Sequence, residues 1–248
     1  MANACPRSGQ NVPMDLFESE RRVVAAAEEM AALLGTDANH TVAAAAMDTL
    51  GRIHKAVNVY HFTGGPCAEL VVMGVAAAAN AGPLLTIAAA GDRGRGLIPP
   101  CGRCRQAILD LHPDVLVAVP GEKGPQLRPI HKLLPHTYFF PDANARRVVR
   151  FNRRYYDAVA DGTKTSTIRY DDPIVAGSAL FVFEDDEQHR TLHGEVTGVE
   201  RYRLDAITAE QARLAPDTTI EELRAGLRRH YPDMPATAEV DVVTFALA

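Results

Sequence analysis

Three of the four cysteines sit in two short runs, Pro66-Cys67-Ala68-Glu69 and Pro100-Cys101-Gly102-Arg103-Cys104. Each run opens a stretch that reads as a helix, so a fold that uses them together must bring two helix starts to one point. The runs supply three thiolates and one carboxylate that is not needed as a ligand. Zn²⁺ prefers four-coordinate sites, and a catalytic site takes three protein ligands and keeps the fourth position open. Water at such a position becomes acidic near neutral pH, at a pKa of about 7 in favourable sites. A carboxylate two residues past the first ligand can exchange a proton with that water without binding the metal. The positive ends of the two helices offset part of the charge of three thiolates around one Zn²⁺. A lone Cys-x-x-Cys also fits a structural zinc half-site, a redox pair or two buried thiols. A structural site needs a fourth ligand, and only Cys5 is left, in the stretch MANACPRSGQNVP, which reads as disordered. A redox motif leaves Cys67-Ala68-Glu69 unexplained.

The chain has 248 residues, 47% of them hydrophobic and 23% charged, enough for one large or two modest domains. No apolar run is long and uncharged enough to span a bilayer, and no basic segment leads into an apolar one at the start, so neither a membrane span nor a secretory signal is expected. Thiols committed to a metal suit a reducing compartment, and a cytoplasmic location is expected. A net charge of -5 argues against non-specific nucleic-acid binding as the main task.

Residues 16–34 read as an amphipathic helix stopped at Gly35, and 41–47 and 52–59 as strands joined through Asp48-Thr49-Leu50-Gly51. A very apolar helix over 67–80 reads as buried. A continuous apolar strand follows at 84–90, then a Gly/Arg loop over 91–100, a helix over 101–111 and a strand at 115–119. This alternation predicts a three-layer α/β/α sandwich. The composition changes after Pro135, and residues 136–150 read as a linker. Beyond it, a helix (152–161), strands (178–183, 191–201), helices (near 208–214 and 218–230) and a last strand (239–246) make a second, smaller unit. Arg146, Arg147, Arg150, Arg153 and Arg154 form a basic cluster near the junction, readable as a phosphate approach or as a solvated face.

Over roughly residues 15–135 the two cysteine runs resemble the cytidine deaminase superfamily in its three-cysteine form. The resemblance implies Cys67, Cys101 and Cys104 as zinc ligands and Glu69 as the proton shuttle. It implies hydrolytic release of ammonia from a cytosine-type or related aminopyrimidine nucleoside, modified and antibiotic-like nucleosides included. The backbone near Ala68 and Cys101 would hold the polar edge of the ring. Nucleoside-type members carry Asn-x-Glu upstream for the ribose hydroxyls; here Asn58 matches but Tyr60 stands in place of the Glu. His40-Thr41-Val42-Ala43-Ala44 replaces the usual Phe-Pro-Val-Gly-Ala, which looks more like the blasticidin S deaminase branch. His40, Asn58, Tyr60, His61 and Phe62 are therefore the candidate substrate contacts. Core packing for Phe62 and an ordinary loop position for His61 are the plainer alternatives. Arg103 and Arg105 are candidates to hydrogen-bond the thiolates from outside. The ligand class and domain size imply a homo-oligomer, a tetramer or a dimer, with neighbours completing each pocket.

Gly162-Thr163-Lys164-Thr165-Ser166-Thr167-Ile168-Arg169, with Gly177 and the closing VDVVTFAL, resembles ASCH domains. That resemblance implies a PUA-like β-barrel over 151–248 and a pocket built on Lys164, Thr165, Thr167 and Arg169 for RNA or a modified nucleoside. Some members resemble N4-acetylcytidine amidohydrolases that add a Glu to the Lys and Thr. Here the matching region places Ala215 or Pro216 at that point, and Glu195 is the candidate substitute. Removal of an N4-acyl group upstream of deamination, or binding without chemistry, are the alternatives for this unit.

Overall fold

The computed structural model describes residues 16–140, 143–185, 187–214, 218–231 and 234–248. The segment 1–14 with Cys5, and the positions Ala215 and Pro216, lie outside the described residues. Two compact units divide these residues, one comprising 16–147 and 185–189, the other 148–184 and 190–248.

In the first unit, α1 (Glu18–Ala32) is followed by β1 (Val42–Asp48), β2 (Ile53–Val57), α2 (Ala68–Ala78), β3 (Leu84–Gly91), β4 (Gly96–Ile98), α3 (Gly102–Leu111), β5 (Leu116–Gly121), β6 (Gly124–Pro129) and α4 (Ile130–Leu133). The sheet order is β2-β1-β3-β5-β6, with β4 also pairing β3. The β3–β5 pair is parallel, and β1 and β6 run antiparallel to their neighbours. β1 and β3 are buried almost throughout. Strand alternation divides their alanines between the two faces. Ala44, Ala46, Ile87 and Ala89 share a core with Val72 and Ala76 of α2 and Ile108 of α3. The alternate residues Ala43 and Ala45 lie on the opposite face, where α1 packs through Val23, Val24, Ala27 and Ala31. Helix, sheet and helix form the three expected layers. Small side chains on both faces of β1 let the helix layers approach closely.

Four differences from the sequence expectation have local causes. β4 falls in the expected Gly/Arg loop, because Gly96 with φ 63 turns the chain back onto β3. β6 and α4 carry no alternating or amphipathic signature of their own. Asn58 ends β2 early by turning its side chain onto the start of β1, where its Oδ1 accepts from the amides of Thr41 at 2.8 Å and Val42 at 2.9 Å. Finally, α2 is not buried all round. Its inner face is covered, but Gly74, Val75 and Ala78 are exposed, Val75 by 39%. A helix in an outer layer buries one stripe against the sheet, and its apolar opposite face stays open in a single chain.

The second unit contains β7 (Arg147–Asn152, its first residue counted with the other unit), a 3₁₀ turn (Arg153–Tyr155), α5 (Tyr156–Ala160), β8 (Ser166–Arg169), β9 (Gly177–Glu184), β10 (Arg190–Arg203), α6 (Ile220–His230) and β11 (Glu239–Leu247). Residues Arg147 to Arg150 are thus strand, where the sequence reads as linker. Val148, Val149 and Phe151 are the apolar residues that fix them there. The expected helix near 208–214 is a run of turns, with Arg213 at φ 50. The sheet order is β7-β9-β10-β11-β8. One face packs Phe151, Phe181, Phe183 and Phe245, with Phe151 and Phe183 stacked at 5.3 Å. The other packs Ile168, Val240 and Val242 against Leu223 and Leu227 of α6. Thr219 caps α6 by accepting from the Glu222 amide, while the Glu222 carboxylate accepts from the Thr219 amide. Arg169 of edge strand β8 donates to the Arg150 carbonyl of the opposite edge strand β7 at 2.7 Å, so the curled sheet is tied edge to edge.

Candidate active site

Cys67 and Cys101 are the residues immediately before α2 and α3, both in extended conformation, and Cys104 lies in the first turn of α3. The Sγ atoms of Cys67 and Cys101 are 3.9 Å apart, those of Cys101 and Cys104 are 3.5 Å apart, and all three lie within 4.8 Å of one another. Zn–S bonds of about 2.3 Å arranged tetrahedrally place sulfurs about 3.8 Å apart. The group therefore has the size of a tetrahedral zinc face.

The electrostatics agree. Burial pushes the Cys104 thiol far up, helped by the charge of Glu69. Burial also raises Cys67; a hydrogen bond from Cys104 opposes this, while Cys101 and the charge of Glu69 add to it. Burial acts on Cys101 as well, but the amides of Cys104 and Arg103 and the two other thiols donate to its sulfur and bring it below the ordinary thiol value. Burial thus resists ionisation at Cys67 and Cys104. A divalent cation removes that obstacle, so the donor set fits Zn²⁺.

Glu69, in the first turn of α2, is only 6% exposed. Burial holds its carboxyl above the usual carboxylate range, partly offset by its own amide and by the Cys104 thiol. A cavity of about 370 Å³ opens beside it. Its floor is Cys67, Ala68, Glu69 and Cys101, and its walls include Val42, Asn58, Ile98 and Pro99. The loop from Val59 to Pro66 forms the remaining wall, closed on itself by a hydrogen bond from the Val59 amide to the Pro66 carbonyl at 3.1 Å. Gly65 makes that closure possible, since a Cβ there would stand 1.8 Å from the Val59 carbonyl oxygen.

Asn58, Tyr60, His61 and Ala68 all line the cavity; His40 and Phe62 do not. His40 bonds the Asn58 carbonyl through Nδ1 at 2.6 Å, supporting the wall from behind. Phe62 is 88% exposed on the outside of the loop, its ring tilted against that of His61 at 4.4 Å. Arg105 is spent on the carbonyls of Pro100 and Leu133 at 2.9 and 3.0 Å, not on the thiolates. Arg103 reaches Cys101 through its amide, and its side chain is exposed. Val42, Val59, Ile98 and Pro99 were not singled out by the sequence. The readable signal was Gly64-Gly65-Pro66, which marks a tight loop just before a ligand.

In the second unit, Lys164, Thr167 and Arg169 are buried while Thr165 is exposed. The Lys164 Nζ sits 4.9 Å over the ring of Tyr155. Thr167 pairs with Val243, which belongs to the phenylalanine-rich face. Glu195 pairs with Ala246, on the other face, and is exposed. Period-two alternation therefore separates Glu195 from Thr167, and it does not complete their group. The arginine cluster is likewise dispersed. Arg147 holds Asp114 at 2.7 Å, Arg150 holds Glu184 at 2.6 Å with both side chains buried, and Arg153 and Arg154 are exposed.

No family profile matches the chain. Blasticidin-S deaminase of Bacillus cereus is 29% identical to it over 133 residues, 50% of this chain and 95% of that protein. The cytidine deaminase structure from Mycobacterium tuberculosis matches at 27% identity and a TM-score of 0.38, over 50% of this chain and 95% of that one. That from Burkholderia pseudomallei matches at 27% and 0.40, over 50% of this chain and all (100%) of the other. The N-terminal half thus has homology to blasticidin-S and cytidine deaminases, which are hydrolytic aminohydrolases, and it holds a three-cysteine group that could bind zinc.

Proposed function

We propose that the N-terminal unit deaminates a cytosine-type or related aminopyrimidine nucleoside, with Cys67, Cys101 and Cys104 holding Zn²⁺. The observation that carries this is Glu69. It is a buried carboxylate two residues from one sulfur, on the floor of a cavity that two of the three sulfurs also line. Zn²⁺ held there supplies the Lewis acidity that makes water acidic near neutral pH. Glu69 carries two protons in turn, one from the water to the ring nitrogen and a second from the hydroxyl added at the ring carbon to the departing amine, which leaves as ammonia. Its raised affinity for a proton, caused by burial, suits that shuttling. The open amides at the start of α2, around Ala68, face the polar edge of the ring. Val42, Ile98 and Pro99 cover the ring faces and exclude water.

Tyr60 in place of a carboxylate makes plain cytidine a poor substrate, since a site built for a hydroxyl donor loses strongly when its acceptor is missing. The test is a panel of aminopyrimidine nucleosides and nucleoside antibiotics, scored for ammonia release by zinc-loaded protein. Cytidine turned over as well as any other member would contradict the specificity, and release from none would contradict the deaminase reading.

For the second unit, an ASCH-type, PUA-like domain beginning at β7, we propose binding of a nucleoside or short RNA without deacylation. The support is Glu195, held on the face away from Thr167. Deacylation of N4-acetylcytidine by the full chain, lost in Lys164→Ala, would overturn this. The apolar outer face of α2 and the exposed Phe62 support a homo-oligomer, a tetramer or dimer, and light scattering of the purified protein checks it. Free thiols at the metal group suit a reducing cytoplasm. No helix among the described residues is long and apolar enough to cross a membrane.

A further inference from the structure

The three sulfurs differ in access and in the chain that joins them. Cys101 is exposed and lines the cavity together with half-buried Cys67. Cys104 is fully buried and does not line it. Cys101 and Cys104 share one turn at the start of α3, closed by the Arg105 amide donating to the Cys101 carbonyl at 2.9 Å. Their sulfurs are 3.5 Å apart, against 3.9 Å between Cys101 and Cys67, which precedes a different helix. A disulfide bond is about 2.05 Å long, so side-chain rotation inside a single turn has to close only about 1.5 Å. A bridge from Cys67 to Cys101 would span a longer gap and tie two helices together.

A small oxidant that enters the cavity therefore meets Cys101, with a second thiol within reach behind it. An accessible sulfur with a resolving sulfur beside it is the arrangement of redox-sensing cysteines. The zinc reading uses all three sulfurs as ligands. A disulfide removes two of them as anions, and Cys67 alone is too few for a site that takes three protein ligands. Granted that zinc reading, we infer that Cys101 and Cys104 form a reversible redox switch, in which a peroxide closes the pair into a disulfide and the site gives up its zinc. The Cys101 sulfur attacks one peroxide oxygen, the O–O bond breaks, and the other oxygen leaves as water. Cys101 is then a sulfenic acid. The Cys104 sulfur attacks the Cys101 sulfur, the S–O bond breaks, and the second oxygen leaves as water. The two thiols lose two electrons and two protons, and hydrogen peroxide is reduced to two waters. A dithiol reverses the step. Its thiolate attacks the exposed Cys101 sulfur, Cys104 leaves as the thiol, and the second thiol of the reductant then frees Cys101. Because the bridge stays inside one turn, oxidation leaves the sheet and its helix layers in place.

The test uses the full zinc-loaded chain, hydrogen peroxide, a colorimetric zinc indicator and mass-spectrometric mapping of the cysteines. About one zinc per chain should be released in step with a Cys101–Cys104 disulfide, with the circular dichroism spectrum unchanged. Dithiothreitol should reopen the bridge and let the chain rebind zinc. Zinc-free Cys67→Ser keeps the pair and should form the same disulfide. Zinc-free Cys104→Ser should stop at a sulfenic acid on Cys101, trapped by dimedone. Zinc retained while the disulfide forms would overturn the inference. So would a bridge to Cys67, oxidation without any disulfide, or zinc binding that the reductant does not restore. A reduced chain that binds no zinc would remove the zinc reading and the switch with it. Zinc bound and released as described, with no ammonia from any nucleoside, would leave the switch standing and remove the deaminase reading alone.

Discussion

At the scale of single residues, Glu69 and Cys104 lie close enough to influence each other yet have separable roles. Glu69 is buried next to the sulfurs but is not one of the three that converge. Glu69→Gln should fold, keep zinc at the level of the natural chain, and lose kcat by about 10²–10⁴, the range for a removed general acid–base. Retained turnover on a confirmed substrate would end that assignment. Cys104→Ser should do the reverse in metal analysis and lose most bound zinc. Its sulfur is fully buried beside Cys101, and a hydroxyl does not become an anion there. Zinc retained in full would move the site elsewhere. These residues were legible from sequence because a ligand type and a spacing fixed them. Asn58 and His61 were legible only as positions. Oδ1 of Asn58 is committed to the amides of Thr41 and Val42, and Nδ1 of His61 to the amide of Thr63, and no sequence pattern encodes those hydrogen bonds.

At the scale of elements, the loop over 59–66 and the end of α3 each have a measurable consequence. Gly65→Ala places a Cβ against the Val59 carbonyl, a backbone group that cannot swing aside, so the loop must open. The expected outcome is activity reduced about a hundredfold or more, as misplacement of about 1 Å can cause, with thermal stability nearly unchanged because the sheet core is untouched. A large fall in melting temperature would show that the loop supports the core instead. His112, just past α3, accepts the Leu84 amide at 3.3 Å, and burial lowers its pKa to about 4. Its unfolded value is about 6.5. Between those values the unfolded chain binds the extra proton. Stability is therefore full above about pH 6.5 and falls as the pH drops toward 4, by at most ~3 kcal/mol. Denaturant midpoints against pH should show that limb, and His112→Gln should flatten it. The elements with a strong period, α1, β1 and β3, were readable in the sequence. β4 and β6 were not, because short strands are defined by the neighbour they pair with. The apolar composition of α2 reads as burial, but it does not say which side of the helix meets the sheet.

For the whole molecule, the relevant fact is that the cores are separate. The metal group sits at the edge of the core that joins β1, β3, α2 and α3, and Cys104 is a member of that core. Among the described residues the second unit has two cores, one of phenylalanines and one under α6, with no residue in common with the first. The change in composition after Pro135 announced a second unit, but its inner and outer faces appeared only with strand register. Register, for instance, decides that Glu195 and Thr167 point apart. The separation has a thermodynamic consequence. A cation that binds only the folded form stabilises only the unit that holds it. It also lets buried thiols ionise, which the protein alone resists at Cys67 and Cys104. Calorimetry of the full chain should therefore resolve two transitions. Removing zinc with a chelator should lower one by several degrees and leave the other in place, and restoring zinc should reverse the change. Cys104→Ser should reproduce the chelated profile and be insensitive to the chelator. A single transition that moves as one with zinc would mean that the two units unfold together.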